Sequence, residues 1–203
     1  MRRIATLLTA AAVLTTCRTA PDRAATSREA AAPSAGVVDS AIPREEALRR
    51  FRNGLPPLDT LTGGAESRDA LVRQFVTALE QGDTSALGRL VMTRQEFAWI
   101  YYPENPQGLP PYDLSPDLLW FMLENRGTIG LAHLVRERMG SRLSYVRYQC
   151  DSLPSVEGEN RVWGPCTVAR RQGDGKLVME RLFGLILERR GRFKFVSYAN
   201  KLD

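Results

Sequence analysis

Histidine, cysteine and lysine are scarce in this chain of 203 residues, which holds one His and three Cys. Lys176, Lys194 and Lys201 are its only lysines, so nearly all of its positive charge is arginine. Each scarcity removes a class of function. A single histidine, His133, leaves one candidate for histidine-dependent chemistry and none for a multi-histidine metal site. No Cys or His cluster has zinc spacing, and no metal or cofactor is expected. No apolar run reaches the ~18 residues of a membrane helix, which excludes a polytopic membrane protein. No block of five or six like charges occurs. No Ser-His-Asp set, glycine-rich phosphate loop or nucleotide motif survives inspection.

The termini and composition supply an address. Residues 1 to 17, MRRIATLLTAAAVLTTC, place Arg2 and Arg3 before an apolar stretch, Ile4 to Thr16, too short to span a bilayer. That is the pattern of an export signal, and it is set aside from fold reasoning. Its end, Leu14-Thr15-Thr16-Cys17, resembles the lipobox of bacterial lipoproteins, in which cleavage before the Cys precedes acylation; cleavage after Ala20 or Ala25 is the alternative. Lipidation of Cys17 would make the membrane a partner through the anchor. Loss of residues 1 to 16 removes two arginines and lowers the net charge from +5 to +3. An exported protein does not meet the genome, so nucleic acid is not an expected partner. A basic patch would face anionic lipid, lipopolysaccharide or peptidoglycan.

The segment from Arg18 to Asp39 is rich in Ala, Pro, Ser and Thr and has no aromatic residue. It cannot bury enough apolar area to offset chain entropy, and residues 18–42 read as a tether. Residues 43–66 read as a short helix, PREEALRRFR, then an extended lead-in carrying Leu55, Leu58 and Leu61.

The main domain is expected over residues 67–203. Ser67 is placed to cap a helix from Arg68 to Gln81, with Leu71, Val72, Phe75, Val76 and Leu79 at helical spacing and Gly82 as its end. Thr84 can cap a second helix. Thr93-Arg94-Gln95-Glu96 is a capping box opening a third, FAWIYY, which must stop by Pro103. Ser115-Pro116 opens a helix running to Met139, with a break or kink at Gly127. After Gly140 the period changes to two. Leu143 to Cys150, Arg161 to Arg170, Leu177 to Glu188 and Arg192 to Asn200 read as strands, with a bulge or edge at Pro165. Helices followed by strands predict an α+β domain, its helices on one face of a curled, four-stranded antiparallel sheet.

The first helix ALVRQFVTALEQGD, the short helix TSALGRLV and the closing hairpin RLFGLILERRGRFKFVSYAN together resemble the NTF2-like superfamily. Those are cone-shaped domains that include ketosteroid isomerases and many dehydratase-like or binding proteins. The resemblance spans about residues 67 to 200 and rests on element order, without a diagnostic motif. The chain is also similar to bacterial lipoproteins with an aromatic-proline segment of this kind.

Cys150 and Cys166 lie eight residues on either side of Gly158, which puts them opposite one another across a hairpin. In an oxidising compartment that registry predicts a structural disulfide, worth ~3 kcal/mol in the chain-entropy model. His133, beside Leu131, Leu134 and Val135, reads as a core or boundary residue. The aromatic group Phe97, Trp99, Tyr101, Tyr102, Tyr112, Trp120 and Phe121 flanks a proline-rich loop. It either lines a small-molecule pocket or fills the core between helices and sheet. Tyr101 and Tyr102 are neighbours, so one of them is expected at the rim or exposed. Leu177, Met179, Phe183, Leu185 and Leu187 form an apolar row with Arg181 set among them. The ligand-binding candidates are therefore Trp99, Tyr101, Tyr102, Tyr112, Trp120 and Arg181.

The family resemblance implies, for an isomerase or dehydratase, a carboxylate of raised pKa inside an apolar cone near a tyrosine. Glu96, Glu104, Asp113 and Glu124 are the nominees, although the capping box already explains Glu96. Binding or scaffolding at the cell envelope is the expected work, with an apolar small molecule or envelope protein as partner. A cofactor-free isomerase or dehydratase is the alternative, and a dimer is compatible with either.

Overall fold

The computed structural model describes residues 42–151 and 153–201. The export signal, the lipobox Cys17 and the tether up to residue 41 lie outside the described residues. The described chain is α+β. In order it forms α1 (Arg44–Phe51), α2 (Arg68–Gln81), α3 (Thr84–Leu90), α4 (Arg94–Glu96), α5 (Pro116–Glu137) and seven strands. The strands are β1 (Tyr145–Cys150), β2 (Ser155–Glu157), β3 (Asn160–Trp163), β4 (Cys166–Arg171), β5 (Leu177–Glu180), β6 (Ile186–Arg189) and β7 (Arg192–Phe195).

Local chemistry sets the helix ends. The Ser67 hydroxyl accepts from the Ala70 N–H at 3.0 Å, and Gly82 closes α2 with φ 74°, a left-handed conformation that glycine adopts without a Cβ penalty. The buried face of α2 contains Leu71, Val72, Phe75, Val76 and Leu79. Asp83, rather than Thr84, caps α3, its Oδ1 accepting from the Ala86 N–H at 2.8 Å. The capping box at Thr93 and Glu96 is formed in both directions. α5 runs unbroken through Gly127, so no helix break occurs there.

The strands depart from a single four-stranded sheet. β1, β4 and β5 form one antiparallel sheet in the order β1-β4-β5, and β2, β3, β6 and β7 form another in the order β2-β3-β6-β7. Two of the four expected strands are divided between these sheets. The run from Arg161 to Arg170 breaks between β3 and β4 at Gly164-Pro165, where Gly164 has φ 137° and proline offers no N–H to the ladder. The run from Leu177 to Glu188 breaks between β5 and β6, around Leu182 to Leu185. Cys150 pairs directly with Cys166 across β1 and β4, and the two are disulfide-bonded.

The four-stranded sheet is covered on both faces, not one. Ile186 pairs with Phe195 and joins the core formed by α2, α3 and Leu134 of α5. Their neighbours Leu187 and Val162 join a second core with α1, Phe97 to Tyr102 and Leu119 of α5. Burial on both faces explains why Ile186-Leu187 and Phe195-Val196 are unbroken apolar pairs instead of alternating with polar residues. Phe75 centres the first core, with ring centroids 5.4 Å from Phe183 and 5.5 Å from Phe195. Phe97 centres the second, 5.4 Å from Phe51 and 5.2 Å from Trp120.

Two glycines seat α5 on the segment after β7. A Cβ at Gly127 would lie 3.4 Å from the Ser197 Cβ, and one at Gly130 would collide with the Tyr198 carbonyl oxygen. The Gly130 carbonyl also accepts from Asn200 Nδ2 at 2.7 Å. No helix among the described residues is long and apolar enough to cross a membrane.

Candidate functional site

The aromatic group is brought together mainly as core. After Glu96 the helix widens: the Tyr102 N–H donates to the Phe97 carbonyl, five residues back, and a tighter turn follows over Tyr102–Glu104. A widened turn followed by a tightened one abandons the regular angular spacing of an α-helix. Adjacent side chains can then both point inward, and Tyr101 (5% exposed) and Tyr102 (1% exposed) are both buried. The expectation that one of the pair stands at the rim is thereby overturned. The Tyr102 hydroxyl donates to the Leu114 carbonyl at 2.9 Å, while Arg44 lies over its ring, 5.1 Å from the centroid. Burial pushes the Tyr101 phenol well above the usual tyrosine range, and the Glu157 carboxylate pushes it further.

Trp99 and Trp120 are half-buried and pack against this cluster. Trp99 is engaged: its Nε1 donates to the Leu55 carbonyl at 3.1 Å, and Arg52 stacks 3.9 Å above its ring. Tyr112, 65% exposed, stands in the loop before α5, outside the cluster. Arg181 lies outside this cluster, in the crossing between β5 and β6. The apolar row around it is not continuous. Leu177 and Met179 point to solvent, whereas Leu182 and Phe183 are both buried, so the alternation is lost where the chain changes sheets.

Trp120 does face a cleft. Between α5, the α3–α4 connection and the segment Val196–Tyr198 lies a hollow of about 330 Å³. Met92, Leu123, Leu131 and Val196 supply apolar lining, with Trp120 as one wall. Thr93, Arg94, Glu124 and Thr128 bring polar groups to it. On the other flank of α5 a smaller cavity of about 180 Å³ contains Arg181, together with Arg126, Leu185 and Pro165. Sequence periodicity missed both hollows, because their linings come from segments more than sixty residues apart. The only local signal was that Trp120 and Leu123 share α5 with small Gly127. A larger hollow of about 430 Å³ between α2 and α3, edged by Arg73, Gln74, Thr77 and Arg89, contains none of the nominated residues.

The nominated carboxylates are mostly committed elsewhere. Glu96 is fully buried; its Oε1 accepts from Thr62 N and Oγ1 at 2.7 and 3.0 Å, and its Oε2 from Thr93 N at 2.7 Å. Lys194 Nζ, also buried, donates to both oxygens at 3.0 and 2.9 Å. With those lone pairs occupied, Glu96 has no free oxygen with which to take a proton from a ligand. Glu104 accepts from the N–H groups of Glu159 and Asn160 and pairs with Arg189 at 3.0 Å, which docks the β2–β3 hairpin. Asp113 lies in an exposed turn with φ 45°. Glu124 alone among the nominees lines the 330 Å³ cleft, and it is exposed. Glu157, which was not nominated, is half-buried; burial raises its pKa while the Asn105 amide, donating at 3.2 Å, opposes the rise.

Among the described residues no group of His, Cys, Asp and Glu could hold a metal ion. His133 is half-buried on α5. A comparison with protein-family models, curated proteins and solved structures found no match to this chain.

Proposed function

We propose that the protein is an exported, lipid-anchored domain of the cell envelope, of NTF2-like type, which binds a small apolar ligand in the cleft beside Trp120. The observation that carries this reading is the lining of that 330 Å³ hollow. Its volume lies at the lower end of the small-molecule range, and its apolar lining with a few convergent polar groups is typical of such sites. Thr93, Arg94, Glu124 and Thr128 would fix the ligand's orientation while Trp120, Met92 and Leu131 would contribute most of the contact area. Binding is preferred over isomerase or dehydratase chemistry because the fully buried carboxylate Glu96 is saturated by Thr62, Thr93 and Lys194. The one nominated acid in the cleft, Glu124, is exposed to solvent, not enclosed within the apolar lining.

The NTF2-like assignment rests on the order of helices and antiparallel strands and on the β6–β7 hairpin. Export and anchoring rest on residues 1 to 17. The ligand reading is tested by titrating the protein with the neutral apolar dye N-phenyl-1-naphthylamine. Saturable binding that Trp120→Ala weakens several-fold, with the melting temperature held within a few degrees, is expected. Binding that is unsaturable, or indifferent to Trp120→Ala and to a blocking Thr128→Trp, would sink it. Anchoring is tested separately, by whether Cys17→Ser moves the protein from the membrane to the soluble fraction.

A further inference from the structure

The second hollow, on the other flank of α5, carries an inference beyond that reading. Its wall is apolar: Leu123, Pro165, Leu185 and Val196 line about 180 Å³ of space. Two guanidinium-bearing residues, Arg126 and Arg181, line the same space. A third cation stands beside them, because Lys201 forms an isolated antiparallel bridge with Arg181, its N–H donating to the Arg181 carbonyl at 3.1 Å. Directly opposed residues of an antiparallel bridge send their side chains to the same side.

Many cations of the two sheets are neutralised by neighbours, although Arg147 of β1 and Arg171 of β4 are in no ion pair among the described residues. Arg161 pairs with Glu188, Arg170 with Glu180, Arg189 with Glu104, and Arg190 with Asp59 and Glu159. Among the described residues, Arg126, Arg181 and Lys201 are in no such ion pair. Three cations of one sign about a concave, low-dielectric wall focus a positive potential into the cavity. Guanidinium forks match the oxygens of carboxylate and phosphate in pairs, and the neighbouring leucines and valine offer an alkyl chain a dry surface.

We infer that this cavity is a binding site for an anionic amphiphile: a phosphate or carboxylate head held by Arg126, Arg181 and Lys201, with its alkyl chain against Leu123, Leu185 and Val196. The site adjoins the Trp120 cleft and shares Leu123, Val196 and Ser197 with it, but Trp120 lines only that cleft and Arg126 and Arg181 line only this one.

Calorimetric titration of the full chain carrying Cys17→Ser, with dodecyl phosphate below its micellar concentration, tests the assignment. Saturable binding is expected, at least ten-fold tighter than that of dodecanol or of inorganic phosphate. The double variant Arg126→Gln/Arg181→Gln should weaken it at least ten-fold, and Arg126→Lys/Arg181→Lys, which keeps the charge without the fork, should lose less. Melting temperatures of both variants should match the parent, which separates loss of the site from loss of the fold. Trp120→Ala should leave dodecyl phosphate binding unchanged, so this assignment and the Trp120 reading fail independently. Equal affinity for dodecanol, or no effect of the glutamine pair, would overturn the cationic site; equal affinity for inorganic phosphate would overturn its apolar wall. Co-sedimentation with phosphatidylglycerol but not phosphatidylcholine vesicles, lost in the glutamine pair, would uphold the site and identify the head as that of a bilayer lipid. Binding of dodecyl phosphate without co-sedimentation would uphold it with a free amphiphile.

Discussion

Gly88, Gly127 and Gly130 all sit in helices, yet alanine at the three positions should act with opposite signs. In a helix interior, glycine costs roughly 0.5–1 kcal/mol relative to alanine, because its unfolded chain has more freedom to lose. That gain is available wherever the new methyl has room. At Gly88 nothing lies within 4 Å of the added Cβ, so Gly88→Ala should stabilise by about 0.5–1 kcal/mol. At Gly127 the methyl meets the Ser197 Cβ at 3.4 Å and the Tyr198 nitrogen at 3.6 Å, ordinary contact, and a gain of up to about 0.5 kcal/mol should survive. At Gly130 it would collide with the Tyr198 carbonyl oxygen, which is backbone and cannot rotate away. The segment is also held by Tyr198 Oη donating to the Leu87 carbonyl at 2.7 Å. Overpacking of this kind costs up to about 3 kcal/mol, which leaves Gly130→Ala destabilised by about 2 kcal/mol after the helix gain. Gly88→Ala and Gly130→Ala should thus differ by roughly 3 kcal/mol, a factor of about a hundred in the unfolding equilibrium. Urea denaturation followed by far-ultraviolet circular dichroism, with the disulfide intact, reads this from the midpoints at constant slope. If Gly130→Ala proved as stable as Gly88→Ala, α5 would not rest on the Tyr198 backbone, and the two clefts on its flanks would need to be redrawn.

Other parts of the structure make equally direct demands. Lys194→Met should cost about 3–5 kcal/mol, since it leaves the Glu96 carboxylate buried without its cation, while Glu96→Gln/Lys194→Met should recover a large part of that loss; chemical denaturation of the single and double variants measures the coupling. Tyr101→Ala should cost about 3–5 kcal/mol as a core truncation, whereas Tyr112→Ala should stay within about 0.5 kcal/mol, which differential scanning calorimetry would distinguish. The raised pKa of Glu157 means that its protonated form suits the fold better. Its contribution is therefore fully present below the unfolded glutamate value and is lost as pH rises through its own higher value. Glu157→Gln should remove that decline, so parent and variant stabilities should diverge with rising pH across this window; parallel curves would contradict the sign.

Much of the fold was legible because its determinants are local. The apolar period of α2, the Ser67 cap, the Gly82 stop and the Thr93 capping box each lie within one or two turns, and all are formed. The Cys150–Cys166 pair falls where counting from Gly158 puts it, although the chain changes sheets on the way and the β2–β3 hairpin itself is registered one residue differently, with Glu157 opposite Asn160. The helix to strand change after Gly140 was equally plain, since a period of two cannot be read as a period of 3.6.

What failed was every inference that carried one regular conformation too far. Tyr101 and Tyr102 were spaced as on an α-helix, but the turn from Phe97 widens and both are buried. The runs around Pro165 and Phe183 were read as single strands, but each changes sheets at a residue that breaks the ladder or buries both neighbours. Of the nominated site residues, Trp120 and Arg181 reach clefts, Trp99, Tyr101 and Tyr102 belong to the packed cluster, and Tyr112 stands exposed.

Sequence by itself determined the order of helices and strands and the caps at Ser67, Thr93 and Ser115, because hydrogen bonds and side-chain spacing within a few residues decide them. Only the tertiary structure decided that the β2-β3-β6-β7 sheet is covered on both faces, that Lys194 meets Glu96 in the interior, and that Trp120 and Arg181 lie beside adjoining hollows on the flanks of α5. Those outcomes depend on which distant segments share a volume, and that is settled by packing the whole chain at once.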